Sequence, residues 1–222
     1  MWCIPTVGAE FVACMEDVLD LYAEAYDPDR PVICFDETSK QLIQETRQPL
    51  PARPGQAERY DYEYRRHGTR NLFMFLEPLA GKRHVAVTQR RTNRDFARCM
   101  KWLVDEGYPE AECIRVVLDN LSTHTIAALY ETFNAGEANR IRKRLEFHFT
   151  PKHASWLNMA ETEFSVFGRQ AWKGYVPDEQ TLEQNVRALE AQRNRQRAKV
   201  HWRFTCEDAR QKLHRLYPSI SE

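Results

Sequence analysis

The sequence is poor in features that would place it in a specialised class. Its six cysteines, Cys3, Cys14, Cys34, Cys99, Cys113 and Cys206, form no CxxC pair. That spacing argues against a disulfide framework or a cysteine-based zinc site and fits buried free thiols in a reducing compartment. No apolar run approaches the roughly 20 residues that cross a bilayer, and no basic start leads into an apolar stretch, so neither a membrane span nor a signal peptide is expected. The expected location is cytoplasmic. With 32 Lys plus Arg against 32 Asp plus Glu, there is no overall basic footprint of the kind nucleic-acid binding leaves. A DNA site would have to be a local patch. Only 8 glycines occur in 222 residues, with no repeat and no low-complexity linker.

What is present suits an ordinary globular core: 42% hydrophobic and 11% aromatic residues, in a chain long enough to bury most of its apolar surface. Two basic clusters stand out. Arg140, Arg142, Lys143 and Arg144 form one, and Arg187, Arg193, Arg195, Arg197 and Lys199 the other. A solvated helix face explains each more readily than a phosphate-binding patch.

Apolar spacing predicts a lead-in helix over Glu10 to Tyr26, ended by Asp27 and Pro28. Val32 to Phe35 reads as a buried strand closing on Asp36. Gln48 to Arg70, with three prolines and mixed charge, reads as a long exposed loop with room for an edge strand. Asn71 to Glu77 and His84 to Thr88 flank a turn and predict a hairpin. Helices are expected over Asn93 to Glu106, over Thr123 to Phe133 with Thr123 as cap, and over Ser155 to Trp172. Ile114 to Leu118 and Leu145 to Phe149 are further strands, and the chain from Asp178 onward reads as helical and charged. This order predicts an α/β fold: a ribonuclease-H-like mixed five-stranded sheet flanked by helices. The expected organisation is a lead-in helix over residues 1–30, a catalytic domain over 31–175 and a C-terminal helical extension over 176–222.

Asp36 and Asp119 each close a buried strand. Carboxylates there are costly unless compensated, and strand ends of α/β sheets are where ligands gather. Either one alone is explained equally well as a turn or helix cap. Together they suit a hard divalent cation, which takes carboxylate oxygens and leaves positions open for phosphate and water. A third carboxylate would complete a two-metal site for in-line displacement at phosphorus. The helix expected from Ser155 offers Glu161 and Glu163, which border its apolar stripe on opposite sides. Periodicity leaves the choice open: one faces the acids, the other solvent.

Three blocks, Phe35-Asp36-Glu37-Thr38, Val116 to His124 and Thr150 to Glu161, resemble in order the catalytic blocks of mariner-like bacterial insertion-sequence transposases. The resemblance implies a DDE endonuclease whose metal ligands and catalytic residues are Asp36, Asp119 and Glu161, with Asn120, His124 and Asn158 in support. It implies two Mg²⁺ or Mn²⁺ ions, cleavage of transposon ends, joining to target DNA, and a homodimer or larger assembly holding two ends at the nucleoid. Members of that family carry an N-terminal helix-turn-helix region, which this chain begins too late to include. Recognition of the ends is therefore expected from a region or polypeptide outside it. Met1-Trp2-Cys3-Ile4-Pro5 resembles the junction after such a region, and Asn134 to Arg144 reads as an insertion. The alternatives are a ribonuclease-H-like nuclease without strand transfer and an inactive remnant that only binds nucleic acid.

Other residues carry weaker signals. His124 reads as a capping or core histidine before it reads as a group orienting phosphate. Trp156 reads as part of the helix's core stripe before it reads as a base-stacking surface. Glu37 should point to the opposite face of the strand from Asp36. Arg65, Arg66, Arg70, Lys152 and His153 are the expected DNA contacts.

Overall fold

The computed structural model of the chain describes residues 8–47, 50–57, 59 and 63–218. Cys3 and the stretch read as a junction, Met1 to Pro5, lie outside them. Five strands form one sheet: β1 (Val32–Glu45), β2 (Tyr64–Glu77), β3 (Lys82–Thr88), β4 (Ile114–Leu118) and β5 (Leu145–Phe149), in the order β3-β2-β1-β4-β5. The first three run antiparallel, and β4 and β5 run parallel to β1. This is the mixed five-stranded sheet expected of a ribonuclease-H-like core.

Side-chain alternation along the strands divides the interior into two layers. Cys34, Leu72, Met74, Leu76 and Val117 face α1 (Ala9–Ala23), α5 (Met159–Gln170), α6 (Glu179–Arg195) and α7 (Cys206–Lys212). Ile33, Phe35, Phe73, Phe75, Val116 and Leu118 face α2 (Asn93–Trp102), α3 (Ala127–Thr132) and α4 (Ala135–Arg142). The second layer is aromatic, with the Phe35 ring meeting Phe73, Phe75 and Phe96 at centroid distances of 5.1 to 5.8 Å. Such contacts favour one fixed packing over many.

Several boundaries differ from the sequence expectation. The long loop is shorter, because β2 begins at Tyr64 and pairs with the far half of β1, Gln44 opposite Arg65 and Lys40 opposite Arg70. Charged, exposed residues hid this strand: in the arm the one buried side chain, Leu42, comes from β1, so Tyr64 to Arg70 need no apolar alternation. Helix α3 starts at Ala127 and has no side-chain cap, so Thr123 does not cap it. The helix expected from Ser155 is instead a 3₁₀ turn over Ser155–Leu157 followed by α5 from Met159, capped by the Asn158 side chain on the Ala160 amide. Helix α1 ends at Ala23 rather than Tyr26. Residues 196–205 are not helical and carry the chain from α6 back across the sheet to α7.

The most consequential difference concerns β1. Its parallel pairing with β4 covers only Val32 to Cys34, opposite Arg115 to Val117, while β1 itself continues to Glu45 alongside β2. Asp36 therefore lies inside a strand, at the point where the neighbour on one side has stopped. That gap is where the candidate site forms.

Candidate active site

Where β4 ends, the Phe35 carbonyl on the open edge of β1 has no ladder partner from β4. The buried Asn158 side chain supplies one, its Nδ2 donating at 2.8 Å while its Oδ1 accepts from the Ala160 amide at 3.1 Å. One amide thus satisfies a strand carbonyl and a helix N-terminus together, which is what a buried backbone group requires. The start of α5 is thereby fixed against β1, and Glu161 in its first turn comes beside Asp36.

The electrostatics report the crowding. The Asp36 carboxyl is pushed up to about 7, first by burial, then by the nearby charges of Glu161 and Asp119. The Glu37 amide donates to Asp36 Oδ1 at 2.8 Å and offsets part of this. Three carboxylates from β1, the end of β4 and α5 thus meet at one edge of the sheet, with Glu161 and part of Asp119 open to solvent.

Asp119 is anchored from behind. Its Oδ1 accepts from the Leu121 amide at 3.2 Å and meets His124 Nδ1 at 2.7 Å. His124 is 1% exposed, lies against the Phe35 and Phe96 rings, and its Nε2 is 3.0 Å from Glu37 Oε2. Burial alone would lower the imidazole, but Asp119 and Glu37 outweigh it and hold it up at about 9. Burial raises Asp119, yet the same histidine brings it net below the usual range. His124 is thus a buried histidine that orients a carboxylate. Glu37 does lie on the opposite face from Asp36, and its part as His124's second partner had no signal in the sequence. Asn120 Nδ2 donates to the Thr150 carbonyl at 3.1 Å and ties the Asp119 loop to the end of β5.

An open cleft beside Asp119 is lined by Asn120, Leu121, Thr150, Pro151, Lys152, His153 and Ser155. Lys152 and His153 are exposed there, and His153 adopts a left-handed backbone, φ 64°. Trp156 is 46% exposed, so the reading of it as core stripe is corrected. Because α5 begins after it, Trp156 sits on the turn and stacks on Trp202 at 6.2 Å with Phe204 edge-on at 5.9 Å. Arg65, Arg66 and Arg70 lie on β2, not in a loop. Arg70 is committed to Glu179 at 2.9 Å, while Arg66 leans on Tyr64 and Arg65 is exposed.

Glu163 corrects another expectation: it does not face solvent but is 1% exposed, paired with Arg83 and Arg193. Sequence reasoning overlooked Arg83, a buried cation in a strand that otherwise reads as a hairpin edge. The basic clusters are partly taken up by the fold. Arg140 pairs with Asp105 and Glu137, Arg144 donates to the Tyr108 and Pro109 carbonyls, and Arg193 holds Glu163, while Arg142, Lys143, Arg187, Arg195, Arg197 and Lys199 are exposed.

Residues 31–183 match the family described as DDE superfamily endonuclease. The chain belongs to this superfamily. Three solved structures share the fold of this DDE domain. The Mos1 strand transfer complex aligns with TM-score 0.58 and 14% identity over 93% of this chain. A pre-cleavage Mos1 transpososome aligns with TM-score 0.58 and 11% identity over 95%. The Mos1 transposase paired-end complex with left transposon end aligns with TM-score 0.50 and 12% identity over 91%. The alignments cover 57%, 64% and 66% of those Mos1 chains, so this chain spans about three-fifths of their length. No curated protein matches the sequence. Among the described residues, no helix is long and apolar enough to cross a membrane.

The DDE domain's donor set fits hard divalent cations. It is all oxygen, it carries excess negative charge, and the raised Asp36 carboxyl marks where a cation would be most favourable. Among the described residues, no three His, Cys, Asp or Glu side chains already stand at the separations of ligands around one ion. Outside the site, His148 is engaged between Asp17 at 2.8 Å and Glu146 at 3.0 Å.

Proposed function

We propose that this domain is the catalytic part of a transposase, cutting DNA at the ends of a mobile element and joining them to target DNA. Asp36, Asp119 and Glu161 would hold two Mg²⁺ or Mn²⁺ ions. The observation that carries the reading is the crowding of Asp36 by Glu161 and Asp119 at an open sheet edge, within a family of DDE endonucleases. When bound, such ions stabilise the attacking and leaving oxygens of an in-line displacement at phosphorus.

The chain's own residues supply the rest. His124 and the Leu121 amide occupy Asp119 Oδ1 and leave Oδ2 for a ligand. Asn158 keeps the first turn of α5 beside Asp36. Lys152 and His153 in the cleft are placed to meet phosphate oxygens, and Arg65 and Arg66 on the β1–β2 arm offer further contacts. In the first step a water oxygen attacks phosphorus and the 3′ oxygen leaves with a proton. In the second, that 3′ hydroxyl attacks a target phosphate and displaces another 3′ oxygen. The phosphodiester count is conserved, so joining needs no energy source. By analogy with the paired-end and strand-transfer assemblies of Mos1, two copies would hold two ends.

The test is Mn²⁺-dependent cleavage of supercoiled DNA, followed by strand transfer from pre-cut ends. The native chain is compared with Asp119→Asn, Glu161→Gln and, as an exposed control, Glu110→Gln. Loss in the first two alone supports the assignment. Cleavage without joining would favour a nuclease, and activity surviving Glu161→Gln would remove Glu161 from the site.

A further inference from the structure

Two residues past Glu161, the side chain of Glu163 is turned about 200° around α5. Arg193 of α6 grips it with Nε at 2.5 Å and Nη2 at 2.8 Å, and Arg83 of β3 reaches the same carboxylate at 3.0 Å. Arg83, 2% exposed, gives its other nitrogens to the Gly81 carbonyl at 2.9 Å and the Ala198 carbonyl at 2.6 Å. Asn194 adds a reciprocal pair, accepting from the Arg83 amide at 2.9 Å and donating to its carbonyl at 2.8 Å.

Cohesion alone does not call for such a cluster. Helix α5 already buries Phe164 and Phe167 on this face, and a buried ion triad is commonly no more stabilising than apolar residues of similar volume. What a planar fork on a carboxylate adds is direction, because both distance and rotation are specified. Turning α5 far enough to carry Glu161 away from Asp36 would strip Glu163 from the buried Arg83 and the half-buried Arg193. Asn158 fixes where the helix starts but leaves its rotation to contacts further along.

We infer that Arg193 and Arg83 are positioning residues that act through Glu163 to set the rotation of α5, and so hold the Glu161 carboxylate toward Asp36 and Asp119 for divalent metal binding. The inference rests on the reading of Glu161 as a metal ligand. Arg193 lies beyond residues 31–183, so the device reaches outside the part matched to the family.

The decisive variant replaces the charged cluster with apolar residues, Arg83→Met together with Glu163→Leu and Arg193→Met, leaving no unpaired charge behind. Measured on the full chain, it should melt cooperatively at or near the native temperature. It should nevertheless bind Mn²⁺ at least about tenfold more weakly, as loss of supporting partners typically does, and exchange amide hydrogens of residues 159–163 faster. A stable variant with native Mn²⁺ affinity and native exchange overturns the inference. If the triple variant does not fold, Arg193→Lys, which keeps the charge but not the fork, should shift both readouts in the same direction by less, and no shift overturns it. Should the native chain bind no Mn²⁺, the ligand reading itself fails. Amide exchange then still decides whether the cluster fixes α5.

Discussion

Two clusters of charge flank α5, and they are built oppositely. In front, Asp36, Asp119 and Glu161 gather three carboxylates, with one cationic histidine bound to Asp119 and Glu37 behind them. Behind, Arg83 and Arg193 gather two guanidiniums around the single carboxylate of Glu163, and Arg83 gives its two terminal nitrogens to backbone carbonyls. The rear cluster balances its one carboxylate with two cations, and so serves structure. The front cluster leaves repulsion unrelieved and faces an open cleft, the signature of a site that stores unfavourable energy for a ligand. Charge on α5 alone does not distinguish the two. The partner count does.

The largest expected effect breaks the front cluster. Asp119→Asn or Glu161→Gln should cut metal-dependent DNA cleavage by roughly 10³-fold or more, several kcal/mol of transition-state stabilisation. Without metal, Asp36→Asn should raise the melting temperature, since it removes a buried, repelled carboxylate. A fall in melting temperature on Asp36→Asn would show that the repulsion is already relieved.

Next in size is the rear cluster. Glu163→Ala strands the buried Arg83 and the half-buried Arg193 and should cost about 3–5 kcal/mol in urea unfolding; a cost under about 1 kcal/mol would mean that water reaches Arg83. Gly81, whose carbonyl accepts from Arg83, has φ +68°, and an added Cβ would lie 2.5 Å from the Arg197 carbonyl carbon. Gly81→Ala should therefore cost about 1–3 kcal/mol and loosen the crossing of residues 197–198 over the β2–β3 turn. Unchanged stability would show that the strap yields.

The smallest effect sits far from both clusters and calibrates them. Exposed Glu137 is held down to about 2 by Arg140 and then Lys101, from an ordinary 4.5. Its contribution is present above the ordinary value and lost as pH falls toward 2. The small penalty of Glu137→Gln at pH 6 should fade between about pH 4.5 and 2, and a pH-independent penalty would rule this pairing out.

Legibility in the sequence followed local pattern. Ile114–Leu118 was readable to the residue as a nearly continuous apolar run buried on both faces, and Leu145–Phe149 as the alternating pattern of an edge strand. The first half of β2 was not, since Tyr64 to Arg70 is exposed and takes its pairing from β1. At the site, Asp36 and Asp119 stood out as acids closing apolar runs, whereas Glu37's tie to His124 spans 87 positions (124 − 37) that no periodicity connects. Trp156 was misread because helical spacing extended through a 3₁₀ turn whose boundary is set by Asn158 reaching Phe35.

The sequence by itself determined the order of the strands, the two aspartates that close apolar runs and the ordered blocks that mark a DDE endonuclease, because apolar periodicity and short motifs are local properties of the chain; α4, inside the stretch read as an insertion, it did not. Which glutamate of α5 faces the aspartates was decided only by the tertiary structure. The buried stripe of Met159, Ala160, Phe164 and Phe167 turns the helix toward the core, and the hold on Glu163 comes from residues 83 and 193, about 80 and 30 positions away, through an ion pair and a two-point hydrogen bond that work only in one orientation.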